Sequence, residues 1–278
     1  MYLRVVHVIV FLLVLVGAGR AQVATEPCQS AVPTGNNTFS QPANASNGTG
    51  DGDAISWRAM PSNIWHDQKN VYWDCPRHMF RTGQWIPAAA FLGLTAALIG
   101  TDQYVSPHFS GTTNFHGFDN VLSGTNTTII IAAVPTATYL TGLITKNAYA
   151  QRTALWTGEA IADSEIAVEV LKLATRRLRP DAGAPYGNFA NTWLDSPTVS
   201  DGGFPSGHTV AAFSVATVMS RRYGRNHRWV PFVAYGAATA IGFSRVTLSA
   251  HNVSDVFVGA TIGYAISRFI VLGRYSPN

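Results

Sequence analysis

Charged residues are scarce in this chain of 278 residues. Asp, Glu, Lys and Arg together make up 12% of it, whereas apolar residues make up 47%. That charged share is about half of what a soluble domain carries. The composition predicts either a membrane-embedded protein or an unusually well-buried helical one, and at this point both remain open. The net charge of +4 is too small for a general nucleic-acid-binding field, so we expect no nucleic-acid partner.

Cysteines and metal-ligand patterns are also scarce. The only cysteines are Cys28 and Cys75. A disulfide between them is possible if the chain is exported. Two free thiols are the alternative, and the spacing does not decide between them. No aspartate cluster or other metal-ligand spacing is evident, so we expect no metal cofactor.

The N-terminal region has the composition of an exported protein. Residues 1–21 resemble a secretory signal, with Arg4 at the start and small residues near Ala21. The apolar run between them has about 12 residues, fewer than a spanning helix needs, although an uncleaved anchor is the alternative. Residues 22–53 are rich in Asn, Gly, Ser, Thr and Pro, which predicts a disordered polar linker. We expect a helical domain over 54–278 and an exported protein, either periplasmic or membrane-associated.

The remaining chain predicts an all-α fold. Strand-like alternation is weak, and the pattern favours a helical bundle of about six main helices. The predicted apolar or amphipathic segments are 86–100, 127–145, 153–179, 207–222, 229–243 and 253–272. The 153–179 helix is expected to end at Pro180. Its charged residues recur three or four apart and so predict one charged face; they are Glu165, Glu169, Lys172, Arg176 and Arg179.

Three short polar motifs interrupt the apolar segments. In the first, Lys172 and Arg179 are two helical turns apart, so they point the same way and suit an oxyanion. The second, Phe204-Pro-Ser-Gly-His208, begins a helix whose free N–H groups can bind an anion. In the third, His251 and Asp255 are four apart, which predicts one helix face and a carboxylate orienting the imidazole.

Each motif alone also has an ordinary structural explanation. An exposed basic face, a capped helix start and an Arg–Asp pair at a helix end would account for them. Together they supply three cations, two short donors, two histidines and one carboxylate. That combination predicts an oxyanion pocket with a nucleophile and an acid.

In this order, Lys-x6-Arg-Pro, Pro-Ser-Gly-His and Ser-Arg-x5-His-x3-Asp resemble the signature of the type 2 phosphatidic acid phosphatase and vanadium haloperoxidase superfamily. The resemblance covers residues 172–255 and is complete at the defining positions, although Asn252-Val253 differs from the pair that relatives often have. It implies a metal-independent phosphatase that works through a phosphohistidine. By position, His251 is the nucleophile, Asp255 orients it and His208 is the general acid. The residues that hold the phosphate are then Lys172, Arg179, Ser206, Gly207 and Arg245.

The resemblance favours an exported phosphomonoesterase of the acid phosphatase or phosphatidate phosphatase type. Its substrates would be lipid phosphates such as phosphatidic acid, or small organic phosphates. A vanadate-dependent haloperoxidase is one alternative, because vanadate resembles phosphate and can occupy the same pocket; haloperoxidases of this family tend to be considerably longer. A non-catalytic phospholipid-binding membrane protein is the other alternative, but binding alone needs only the cations.

Overall fold

The computed structural model describes residues 57–77, 85–109, 112, 114–182, 192–194, 196, 198 and 202–275. The predicted leader at 1–21, the linker at 22–53 and Cys28 lie outside the described residues. The pairing of Cys28 with Cys75 therefore stays a prediction. Every regular element within the described ranges is helical, which confirms the all-α class.

The fold contains eight α-helices within the described residues. They are α1 (Met60–Lys69), α2 (Trp85–Phe109), α3 (His116–Val121), α4 (Gly124–Ile144), α5 (Ala148–Thr175), α6 (Gly207–Tyr223), α7 (Val230–Thr247) and α8 (Val253–Ala265). Helix α8 continues through a π-helical turn, Ile266–Val271, to Tyr275. Six of the eight are long, α2 and α4 to α8, as the apolar segments predicted.

Helix α6 lies at the centre of the bundle and packs against α5, α7 and α8. Its approach to α8 depends on glycine. A β-carbon built on Gly259 would lie 2.8 Å from the carbonyl oxygen of Ser206, and one on Gly263 would lie even closer to that of Val210. Any side chain at these positions would push α8 away from α6. The glycines therefore keep the first turn of α6 beside the start of α8.

The end of α5 differs from the prediction. The helix ends at Thr175, well before Pro180. Arg176 has a left-handed φ of 42°, and its N–H donates to the carbonyl of Lys172 at 2.8 Å. This is a common way for a helix to stop. The predicted face of five charges on one helix is therefore wrong at its C-terminal end.

Long-range hydrogen bonds explain this early stop. The N–H of Leu178 donates to the carbonyl of Thr192 at 2.7 Å, and the N–H of Gly203 donates to the carbonyl of Arg177 at 2.6 Å. The segment after α5 thus pairs with residues distant in sequence instead of continuing the helix. Arg179 consequently reaches the site from an extended segment.

Large apolar side chains cover the outside of α4 and part of α5. Only 17% of the most apolar window of α4 is buried, at a mean hydropathy of 1.6. On α5, Ile166, Val170 and Leu173 are exposed, whereas Asp163 is buried. By length and composition, α4 and the continuous helix Val253–Tyr275 are the two described helices that can cross a membrane.

Candidate active site

Five of the predicted site residues line one cavity of about 370 Å³ between α4, α5 and the start of α6. They are Lys172, Arg179, Gly207, His208 and His251. The rest of the lining comes from Thr128, Ile131, Ala132, Ile161, Glu165 and Ala211. On α6, the polar lining residues come first and the apolar Ala211 lies further along the helix. On α5, which runs antiparallel to α6, the apolar Ile161 comes first and the charged Lys172 lies near the end. The cavity therefore has a basic end and a largely apolar end.

His251 lies in the turn before α8, so it does not share a helix face with Asp255 as the spacing predicted. Its Nδ1 is 2.6 Å from the carbonyl oxygen of Gly203. Because a carbonyl only accepts, Nδ1 carries the proton and Nε2 keeps its lone pair. The distance from Nδ1 to Oδ2 of Asp255 is 3.9 Å, too long for a hydrogen bond. The direct orienting contact is thus Gly203.

The environment of His251 favours its neutral form. Burial lowers the pKa of His251 to about 3, and the positive charge of Arg179 acts in the same direction. Desolvation disfavours an imidazolium unless an anion lies beside it. At any ordinary pH, His251 is therefore a neutral imidazole with a lone pair on Nε2.

Behind His251 lies a fully buried ion-pair cluster of Arg177, Asp102 and Asp255, which we call the near cluster. Arg177 donates to Oδ1 of Asp255 at 2.6 Å and to Oδ2 of Asp102 at 2.8 Å. The other oxygen of Asp255 accepts from the backbone N–H of Asn252 at 2.7 Å, which caps α8. The near cluster fixes the start of α8, and with it the turn that carries His251.

Sequence reasoning missed Arg177 and Asp102. Arg177 is an unassigned position inside Lys-x6-Arg-Pro, and Asp102 lies just after the apolar segment 86–100. Both side chains are fully buried. Buried charges need partners of opposite sign. In a chain with so few charges, a charged residue next to an apolar segment is therefore a candidate for a buried ion pair, and this signal could have identified both residues.

His208 occupies the first turn of α6. Its Nε2 is 3.2 Å from the carbonyl oxygen of Gly124 and 3.1 Å from the hydroxyl of Thr128. The Thr128 hydroxyl donates its one proton to the carbonyl of Gly124 at 3.0 Å. It must therefore accept from His208, so Nε2 of His208 carries a proton and donates. Burial, followed by the positive charge of Arg245, lowers the pKa of His208. A bound phosphate dianion would act in the opposite direction.

Arg245 and Ser206 do not line the cavity. The guanidinium of Arg245 donates to the carbonyl of Leu122 and, at 3.1 Å, to the hydroxyl of Thr127. Ser206 is fully buried, and its hydroxyl accepts from that of Thr209 at 2.9 Å. In these positions both residues hold together the elements around His208, and their predicted contact with phosphate stays a prediction.

Over its second half the chain resembles a known family. Residues 153–276 match the PAP2 superfamily, and this region contains every predicted site residue. The finding confirms the resemblance drawn from the three motifs.

Individual relatives cover less of the chain. A lipid A 1-phosphatase of Porphyromonas gingivalis is 34% identical over 97 residues, which are 35% of this chain and 18% of that protein. A lipid A 1-phosphatase of Rhizobium etli is 35% identical over 116 residues, 40% of this chain and 47% of that protein. The chain therefore spans less than half the length of either relative.

A solved structure also resembles the chain. It is a transmembrane PAP2-type phosphatidylglycerolphosphate phosphatase from Bacillus subtilis, 21% identical, with a TM-score of 0.47 over 67% of this chain and 92% of that one.

Proposed function

We propose that this protein is a membrane-embedded lipid phosphatase that hydrolyses phosphomonoesters through a phosphohistidine at His251, without a metal ion. One observation carries the proposal: a neutral His251 shares a cavity with Lys172 and Arg179. A neutral imidazole is a nucleophile, and two cations suit the oxygens of a phosphate.

In the first step, Nε2 of His251 attacks phosphorus in line and the bond from phosphorus to the ester oxygen breaks. The leaving oxygen takes a proton from His208. Lys172, Arg179 and the backbone N–H groups at the start of α6 stabilise the charge on the other phosphate oxygens. The imidazole becomes positively charged as the P–N bond forms. The Gly203 carbonyl at 2.6 Å stabilises that charge directly.

In the second step, a water molecule gives a proton to His208 and attacks phosphorus. The P–N bond breaks, inorganic phosphate leaves, and His251 returns to its neutral form. Asp255 supports both steps electrostatically from 3.9 Å and by capping the helix that follows His251. Atoms and charges balance without a metal or a redox partner.

A lipid phosphate fits the rest of the site. Ile131, Ala132, Ile161 and Ala211 form the apolar part of the cavity. The exposed apolar surface of α4 suits contact with acyl chains. The relatives named lipid A 1-phosphatase support lipid A 1-phosphate or a similar lipid phosphate as the substrate. A leader at 1–21, a linker at 22–53 and export are part of this proposal, supported by the N-terminal composition.

Phosphate release by the full-length protein in detergent tests the proposal. We expect activity on lipid A 1-phosphate and phosphatidic acid that exceeds activity on an aryl phosphate, persists in excess chelator and is inhibited by vanadate. The variant His251→Ala is the control for contaminating phosphatases. Activity that is lost to chelator and restored by a divalent ion would reject the metal-independent mechanism. Halide oxidation with added vanadate would instead indicate a haloperoxidase.

A further inference from the structure

Glu165 is an acidic side chain in the cavity that the reaction above does not use. A β-carbon built on Gly207 would lie 3.3 Å from Oε2 and 3.6 Å from Oε1 of Glu165. The carboxyl group thus lies against the backbone at the start of α6, next to the proposed phosphate site. Among the described residues, it makes no hydrogen bond.

The position of Glu165 along α5 places it beyond the phosphate ligands. Lys172 follows it by two helical turns on the same face, and Ile161 precedes it by about one turn. Both of these residues also line the cavity. Glu165 therefore lies between the basic end and the apolar end, where the group esterified to the phosphate would sit.

A carboxylate so close to a phosphate would ordinarily oppose binding. Burial raises the pKa of Glu165 to about 7, and the nearby positive charge of Lys172 acts against that rise. The side chain is therefore only partly ionised at neutral pH, so its repulsion of a phosphate is reduced. In either protonation state it keeps an oxygen that accepts hydrogen bonds.

Resting on the proposed function, we propose that Glu165 selects the substrate by accepting a hydrogen bond from a hydroxyl or amide N–H next to the phosphate ester. Sugar-linked and polyol-linked lipid phosphates carry such a donor. Phosphatidic acid carries only ester oxygens there, which are acceptors. The enzyme should therefore prefer the first class, and Glu165 should be the residue responsible.

A matched pair of substrates isolates this contact. Lysophosphatidic acid has a free hydroxyl on the carbon beside the phosphate-bearing carbon, and in its 2-O-methyl ether a methyl group replaces the proton of that donor. For the wild-type enzyme, we expect kcat/KM to be about 3–10-fold higher for the free hydroxyl, the range for a hydrogen bond whose acceptor need not be charged. The ratio of the two kcat/KM values is the quantity to compare among variants.

Two leucine variants compare two acids on the same helix. Glu169 pairs with Lys172 at 2.8 Å from an exposed position, but it does not line the cavity. Glu165→Leu should bring the ratio close to one, whereas Glu169→Leu should keep the wild-type ratio. Glu165→Gln, which retains an accepting oxygen, should restore most of the preference.

A wild-type ratio near one, or an unchanged ratio in Glu165→Leu, would overturn the inference. Equal losses on both substrates would also overturn it, because they would mean that Glu165 acts through Lys172. A wild-type ratio near one would overturn the inference even if Glu165→Leu does not fold. If the wild-type enzyme hydrolyses neither lipid nor an aryl phosphate, the proposed function itself fails, and that outcome is distinct from a lost preference.

Discussion

The continuous helix Val253–Tyr275 has an arginine–carboxylate cluster at each end, fully buried at its start and partly exposed at Arg274 near its end. Near its start lies the near cluster of Arg177, Asp102 and Asp255. Near its end lies a second group, the far cluster, made of Arg274, Asp67, Asp163 and Glu159. Asp255 and Arg274 are separated by about 28 Å along the helix. The two clusters have similar chemistry, but only the near cluster adjoins the cavity.

The far cluster joins α1 to α5 and to the end of the last helix. Arg274 pairs with Asp67, and Tyr275 donates to Glu159 at 2.8 Å. From α1, Asn63 donates to the other oxygen of Glu159 at 2.7 Å. Burial raises the pKa of Asp67 to about 6. Nothing in these contacts bears on the reaction, so we infer that the far cluster serves only the fold.

The comparison shows that buried charge pairs serve different purposes according to what lies beside them. Both clusters carry a large desolvation cost. The near cluster holds the segment after α5, helix α2 and the start of α8 in one arrangement, and His251 lies at their junction. Rigidity there orients a nucleophile, whereas the same rigidity at the far end only attaches a helix.

Among variants that keep His251, the largest effect should come from His208→Ala at the near end. Loss of the general acid should lower turnover of an alkyl phosphate by about 10²–10⁴-fold. An aryl phosphate with a very acidic phenol needs little protonation of its leaving oxygen, so it should lose much less. Steady-state rates on both substrates test this, and an equal loss on both would contradict the role of His208.

The next largest effect should come from Arg177→Met in the near cluster. This change leaves Asp102 and Asp255 without their cation, and it should destabilise the fold by about 3–5 kcal/mol. The turn that carries His251 should also shift, lowering kcat by about 10²-fold. Both quantities are measured on purified protein in detergent, by thermal unfolding and by turnover below the unfolding range. An unchanged kcat would show that the near cluster does not position His251.

Arg274→Met is the matched variant in the far cluster. It also removes the cation from a buried acidic group, so a loss of stability of about 3–5 kcal/mol is expected here too. The kcat of the folded protein should stay close to the wild-type value, because Arg274 lies about 28 Å along the helix from Asp255, the near-cluster residue that is 3.9 Å from His251. A fall in kcat comparable to that of Arg177→Met would remove the distinction between the two clusters.

The smallest effect should appear in the pH profiles. His208 must be protonated to act as an acid, and burial and Arg245 lower its pKa in the free enzyme. The basic limb of kcat/KM should therefore fall as pH rises through that lowered pKa. A bound phosphate dianion raises the pKa, so the basic limb of kcat should lie at higher pH. Coincident basic limbs would contradict this account of His208.

Local patterns predicted much of the molecule. The apolar segments predicted the all-α class and the long helices, because the spacing of apolar residues along a sequence reflects the faces of a helix. The three motifs also named five of the residues that line the cavity. Such features depend on residues close together in sequence.

Long-range contacts were beyond those patterns. Gly203, which accepts from His251, is 48 residues away from it, and Asp102 is 75 residues from Arg177. The end of α5 depends on hydrogen bonds to Thr192, Leu194, Ser196 and Gly203, which no helical period reveals. Glu165 was identified only as part of a charged face, and its place in the cavity follows from how α5 packs against α6.

Trapping the phosphoenzyme tests the central claim most directly. The full-length enzyme is mixed with a substrate labelled at phosphorus and quenched in alkali, in which a phosphohistidine survives. We predict that label is bound to the protein, that it maps to His251, and that His251→Ala acquires none. Label that maps to another residue, or label on His251→Ala, would show that His251 does not form the bond to phosphorus.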